Sequence, residues 1–324
     1  MPLSKINLAL VLFWVATSAA AQSKLSLELT KLDSWLPSRA EWERVQEKAE
    51  NSVVFDVEND SLLLKRDDGF YTSGSHFSLL QKLMQDDAVV TYSWHIGQDL
   101  YTASDIKLKP SQLSPLDHPY AGWLYLGAFR EVQNNDGRAL RLGLDFGCLG
   151  PCAGGEWTQT NLHRLLNQAL PQAWSTQLRR EWGIVAHLEA APARWNLQSD
   201  MDLANRVKLR VGNIFTDLQS ELVWRYGNLN QQTQNKSSFI FTRANLSIVA
   251  YNATLQGGLF SQNESAIHPR PLVAEVEAGY QFQGSKWGLY ASVLRRGSEI
   301  KELSHAKAAQ NFAKIQVYYK LGTH

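Results

Sequence analysis

From residue 51 onward the chain alternates apolar and polar positions with a period of two. Val53, Phe55 and Val57 alternate with Ser52, Asp56 and Glu58, the pattern of a strand whose two faces meet different environments. Segments of similar character follow at about 70–82, 88–98, 121–132, 138–149, 181–195, 200–212, 214–227, 244–259, 270–283, 286–299 and 308–321. The last is the clearest. Ile315, Val317, Tyr319 and Leu321 share one face, while Lys314, Gln316 and Lys320 share the other with Tyr318. Twelve such segments predict an all-β chain closed into an antiparallel barrel. Closure removes the unpaired sheet edges, and an even count returns the chain to its starting side. Long breaks at 99–120, 150–180, 228–243 and 260–269 fall to one end of that barrel, and short breaks at 85–87, 133–137 and 284–285 to the other. Between Glu156 and Ala169 the period changes: Trp157, Leu162, Leu165 and Leu166 recur at helical spacing, and Pro171 ends the run. One short helix is therefore expected inside a long loop, the part of a barrel where function concentrates.

The N-terminus fixes the compartment. Lys5 precedes an apolar run from Ile6 to Val15, broken only by Asn7, and Ala19-Ala20-Ala21 before Gln22 supplies small residues for cleavage. Residues 1–21 read as a secretory signal peptide, 22–50 as a polar periplasmic leader with some helical character, and 51–324 as the barrel. No later stretch is apolar for about 18 residues, so no transmembrane helix is expected. With 32 basic and 31 acidic residues the charge is balanced, which removes the basic excess of a nucleic-acid binder. The 11 Trp, 11 Tyr and 12 Phe are abundant for so polar a chain. Exported, aromatic-rich and without a long apolar run is the profile of a transmembrane β-barrel of a Gram-negative outer membrane. The long loops then face the cell exterior and the short turns the periplasm. In that oxidising setting Cys148 and Cys152 are expected to form a local disulfide that pins a loop.

The chemistry-bearing residues are local clusters. Gly-x-Ser-x-Gly, His-Glu-x-x-His and phosphate-cradling loops are absent. Glu58-Asn59-Asp60 ends the first strand; its oxygens suit a hard cation such as calcium, and the same residues open turns. If the first two strands pair as a hairpin, Thr72 lies near Asn59 at one rim. Lys107, in a loop, suits a lipid phosphate or plain solvent, and His118 beside Pro119 reads as structural. Gln159 and His163 are four residues apart on one helix face. An imidazole has the ordinary pKa best matched to activating water near neutral pH.

Taken in order, these segments resemble the outer-membrane lipid A 3′-O-deacylase family. The matching stretches are Val57-Glu58-Asn59-Asp60, Tyr71-Thr72-Ser73-Gly74, Gln98-Asp99-Leu100-Tyr101 with Lys107 before Lys109-Pro110, Pro119-Tyr120-Ala121-Gly122-Trp123, Gly150-Pro151 with Ala153-Gly154-Gly155, and Gln159-x-x-x-His163-Arg164 with Ala173-Trp174 and Gln177-Leu178 after it. The resemblance is specific from about 52 to 183 and beyond that rests on barrel periodicity. It implies a twelve-stranded barrel with a site between the wall and a loop helix near the outer leaflet. It also implies calcium-assisted hydrolysis of an acyl ester on lipid A. His163 would be the general base, with Asn59, Asp60 and Thr72 lining the calcium and oxyanion region and Asn59 and Asp60 holding Ca2+. Lys107 would bind substrate, and Gln159 fills a family position one turn before the histidine. The implied partners are lipopolysaccharide, the membrane, and the barrel-assembly machinery during biogenesis. Two departures stand out: an acidic residue of the family's site falls near Ala169 here, and the paired cysteines lie outside the pattern. An outer-membrane phospholipase or other esterase, and a catalytically inactive barrel acting as a channel or structural protein, are the competing readings.

Overall fold

The computed structural model describes residues 37–63, 69–85, 88–229, 236–261 and 265–323. The signal peptide and the first part of the leader lie outside the described residues. The strands are β1 (Glu50–Asn59), β2 (Phe70–Met84), β3 (Ala88–Thr102), β4 (Ala121–Asn134), β5 (Ala139–Leu149), β6 (Glu181–Ala191), β7 (Arg194–Gln198), β8 (Met201–Gly212), β9 (Phe215–Asn228), β10 (Ser237–Asn252), β11 (Leu272–Gln283), β12 (Trp287–Arg296) and β13 (Gln310–Thr323). Chain neighbours other than β6 and β7 pair antiparallel, β1 pairs with β13, and β6 pairs with β8, which closes the barrel. The short β7 is the extra strand. It pairs with the first half of β8 (Arg194 opposite Ala204), while β6 pairs with the second half (Ala190 opposite Val207). β6 and β7 thus occupy one position in a twelve-position wall, split around Pro192, which has no N–H to give the ladder.

Alternation sorts the side chains into two environments. Phe55, Phe77, Ile96, Leu126, Phe146 and Ile184 face one another across β1 to β6. Each is 45–61 % exposed on the isolated chain, the apolar band that a bilayer covers. The intervening residues point inward and are paired. Asp145 on β5 takes His95 Nε2 at 3.0 Å and His187 Nε2 at 2.8 Å, and Arg243 reaches Glu277 at 2.7 Å. Towards the end away from the termini the lumen is filled by Tyr71, Tyr101, Trp123, Phe215 and Phe312, all buried.

Two expectations need correction. The break at 228–243 was assigned to the exterior, but β10 begins at Ser237, and the β9–β10 connection lies at the end that carries the termini. Polar Ser237 and Ser238 mask the start of that strand, although Phe239 and Phe241 point inward behind them and are buried. The loop helix is also not alone. Besides α2 (Gly155–Leu165), single turns α3 (Ala253–Gln256) and α4 (His305–Ala308) occupy two other loops at the same end.

The leader contributes α1 (Arg39–Lys48). Ser38 caps it by accepting from Glu41 N at 3.0 Å, the cap that first-turn donors require. Val45 and Ala49 pack on Leu83, Val90, Tyr92 and Val132. These wall residues share the outward parity of Phe77, Ile96 and Leu126, so α1 lies against the outside of the barrel near the termini. There the Arg130 guanidinium grips Glu41 with Nε and Nη2 at 2.8 Å each, and Tyr92 donates to the same carboxylate at 2.7 Å.

Candidate active site between the outer wall and helix α2

The rim opposite the termini is built from strand ends. Asn59 ends β1 on the outward parity of Phe55 and Val57, and its register partner on β2 is Ser73. The β2–β3 register shifts between Tyr71 and Ser73. Across this irregularity Tyr71 turns inward, donating to Glu58 Oε2 at 2.9 Å. Thr72 is left to meet Thr102 across the strand pair, hydroxyl to hydroxyl at 2.7 Å, with both residues buried. Asn59 and Thr72 therefore share the rim, as a hairpin pairing requires. Asn59 Oδ1 accepts from Ser61 N at 2.7 Å, and the buried Asp60 accepts from Gly69 N at 3.2 Å. The turn-forming reading of this segment describes those bonds.

Helix α2 can reach the wall only because bulk is missing at its start. Gly154 caps it in the left-handed region (φ 68°), where a side chain is strained. A Cβ on Gly155 would sit 2.6 Å from the Trp174 ring and 2.9 Å from Leu100. Gln98 Nε2 ties this start to β3 by donating to Ala153 O at 2.7 Å. Cys148, near the end of β5, is joined by a disulfide to Cys152 just before the helix, Cα atoms 6.0 Å apart. The buried face of α2 is Gly155, Gln159 and His163, at four-residue spacing. The apolar stripe read from the sequence is the opposite surface: Trp157 is 73 % and Leu165 82 % exposed.

Two hydrogen bonds orient the buried polar pair. Trp174 Nε1, which can only donate, reaches Gln159 Oε1 at 2.8 Å. That fixes the amide and leaves Gln159 Nε2 buried without a hydrogen-bond partner among the described residues. His163 Nδ1 lies 2.6 Å from Ala169 O. A carbonyl only accepts, so Nδ1 carries a proton, and Nε2 is the nitrogen that gains and loses the second one. The carbonyl arrives there through the helix ending. Asn167 takes φ 54°, Asn167 N donates to Arg164 O at 3.3 Å and Gln168 N to His163 O at 2.8 Å. This is the paired C-terminal closure that a left-handed residue permits, and it folds the chain back over the helix.

The remaining residues connect through short contacts. Thr102 adjoins Ala103, which packs with Leu100, Tyr120, Ala173 and Trp174. Gln172 N donates to Ile106 O at 2.9 Å, so the loop carrying the exposed Lys107 is fastened to the segment after α2. Thr72, the Lys107 loop and the Gln159–His163 helix are thus linked through packed neighbours, and Asn59 shares the rim with Thr72. His118 is buried beside it, stacked on Tyr101 with ring centroids 5.4 Å apart. Burial pushes its imidazole below the ordinary histidine range, against the opposing pull of the Pro119 carbonyl. Trp174 falls in a stretch that the resemblance covers, whereas neither Asn167 nor the Ala169 carbonyl was singled out in the sequence. Only Asn167, shortly before Pro171, carries a stop signal that could have found it.

One acidic cluster was also missed. Asp56, Glu58 and His76 bring ligand atoms within 4.8 Å of one another, but on the lumen side. Lys314 Nζ already stands among them, 2.9 Å from Asp56 and 2.6 Å from Glu58. An ammonium in that place fits a cation site poorly. Asn59 and Asp60, hard oxygen donors on the outer rim, fit calcium better by donor chemistry.

Residues 8–321 match the model of the family described as outer membrane protein LpxR. No curated protein matches the chain. Among solved structures it is similar to LpxR from Salmonella typhimurium, with 21 % identity, a TM-score of 0.69, and coverage of 83 % of this chain and 99 % of that one. The β-domain of the Bordetella autotransporter BrkA aligns over 84 % of this chain and 98 % of its own at 14 % identity, with a TM-score of 0.48. The likeness to the Salmonella protein extends to the closed barrel, and by the match over nearly its whole length this chain belongs to the outer membrane protein LpxR family.

Proposed function

We propose that the chain is a lipid A deacylase, hydrolysing an acyl ester in the outer leaflet with water activated by His163. The observation that carries this reading is the oriented pair on the buried face of α2. His163 is oriented by its Nδ1–H on the Ala169 carbonyl, and Gln159 one turn away keeps an N–H donor without a hydrogen-bond partner among the described residues. Ester hydrolysis by water needs those two functions: a base for the proton and a donor where the carbonyl oxygen becomes an oxyanion. The Ala169 departure then has a physical answer. A backbone carbonyl here does the orienting work that a carboxylate would do, without adding negative charge.

Calcium, if bound by Asn59 and Asp60 with Thr72 nearby, would supply positive charge for the developing oxyanion. The chain's own residues do the rest. Gln159 Nε2 donates to the ester carbonyl, and His163 Nε2 takes the proton of the attacking water while the Ala169 carbonyl steadies the resulting imidazolium. As the tetrahedral intermediate collapses and the C–O ester bond breaks, the imidazolium returns that proton to the leaving alkoxide, releasing the fatty acid and the alcohol. Lys107, exposed on the adjoining loop, pairs with a lipid phosphate. Trp157 and Leu165 on the outer face of α2 meet acyl chains, which keeps the site level with the ester linkages.

The test is mass spectrometry of lipid A from a Gram-negative host expressing the protein or its His163→Ala variant. Loss of one acyl or acyloxyacyl mass with the intact histidine only is the expected result. Unchanged lipid A, with the barrel folded and calcium supplied, would overturn the reading.

A further inference from the structure

The lumen near the termini holds a cavity of about 390 Å³, within the size range of small-ligand sites. Its charged groups are arranged unevenly. Lys208 is paired with Glu221 at 2.9 Å, and Arg243 with Glu277 at 2.7 Å. Arg206 bridges Glu131 and Glu189, and Arg141 also reaches Glu189. Asp202 is the exception. Both its oxygens are gripped by the Arg225 fork, Nε to Oδ1 at 2.8 Å and Nη2 to Oδ2. Arg194 Nε stands 3.7 Å from that same carboxylate and is buried without a hydrogen-bond partner among the described residues. Two guanidinium groups thus share one carboxylate, and it is the carboxylate that is hidden: Asp202 is 2 % exposed, against 27 % for Arg194 and 17 % for Arg225. Glu277 and Glu221 are likewise recessed behind their cations. Glu131 and Glu189 also line the cavity, but both are held by Arg206. The cationic excess is therefore local to Arg194 and Arg225, and the Arg194 guanidinium is the planar fork left to match the edge of a phosphate.

We propose that this chamber binds a phosphate dianion from the periplasmic side, with Arg194 as the principal ligand and Arg225 and Arg206 beside it. The aromatic filling of the far half of the lumen, Tyr71, Tyr101 and Phe312 among it, makes the chamber blind, so the anion enters and leaves by the same end. This site lies inside the barrel and is independent of the outer-wall site around His163.

The experiment is calorimetric titration of the full chain, folded in detergent micelles, with inorganic phosphate and with glucose 1-phosphate, each against chloride at matched ionic strength. Saturable binding is expected, weakened at least about tenfold in Arg194→Gln, the loss expected for one charge-assisted contact. Arg194→Lys, which keeps the charge and removes the fork, should fall between, and Lys107→Ala should leave binding unchanged. Tighter binding of glucose 1-phosphate identifies a phosphate monoester as the ligand; equal or weaker binding identifies free phosphate. Absence of saturable binding to the folded wild-type barrel would overturn the proposal. So would binding that is indifferent to both Arg194 variants, or binding lost in Lys107→Ala.

Discussion

At the scale of single residues, the candidate site depends on groups whose roles the sequence conceals. His163 and Gln159 were legible because a helix places them on one face. The carbonyl of Ala169 was not, because a backbone acceptor has no side-chain signature and arrives only through the turn at Asn167. That turn can be tested apart from the histidine. Asn167→Gly should keep both stability and lipid A modification. Asn167→Val, forced to hold a left-handed backbone with a β-branched side chain, should cost about 1–2 kcal/mol locally. It should also slow deacylation with the barrel intact, as read by acyl release and by heat-modifiable gel mobility. Gln159→Leu leaves the Trp174 indole and the reacting carbonyl without their partner. Its kcat should fall by about a hundredfold or more with a smaller change in KM; a loss confined to KM would mean that Gln159 only binds.

At the scale of elements, period-two patterning carried the reading of the wall, and it failed where polarity interrupts a strand. Most strands could be read because one face meets lipid and the other a polar lumen. Ser237 and Ser238 hid the start of β10, and Pro192 divided one wall position into β6 and β7 without altering the closure. Helix α2 is the instructive case. Its apolar stripe was legible as a helix but points outward, since a helix on a barrel in lipid has no aqueous side to avoid. Helix α1 makes its own prediction. Burial opposes the charge on Glu41, but the Arg130 fork and the Tyr92 hydroxyl outweigh it and hold the carboxyl below the ordinary glutamate range. A depressed carboxylate contributes stability that is complete above its unfolded pKa, near 4.5, and is lost as pH falls through its folded value. Docking of α1 should therefore hold at neutral pH and weaken as pH falls below about 4.5. Proteolysis of the N-terminal segment would report it, with an acid-active protease at low pH and trypsin at pH 7. In Glu41→Gln that acid dependence should disappear and cleavage should rise at pH 7.

For the whole molecule, the closed wall, its antiparallel order and its apolar band followed from the sequence pattern. The filling of the lumen did not, because inward positions look equally polar whether they line a channel or pair with one another. Here they pair, and aromatic side chains close the half away from the termini. Planar-bilayer recordings of the folded protein should show no sustained conductance. Phe312→Ala, which removes a buried side chain from that filling, should introduce leak events. Steady conductance in the wild type would instead favour the channel reading.

Helices α1 and α2 lie outside the same stretch of wall, over β2 to β4, one at each rim. Annular lipid meets bare strand around most of the circumference and helix at both margins here, so the molecule is not rotationally uniform in its bilayer. A lipid bound for the site proposed around His163 would have to cross this helix-flanked margin rather than bare wall.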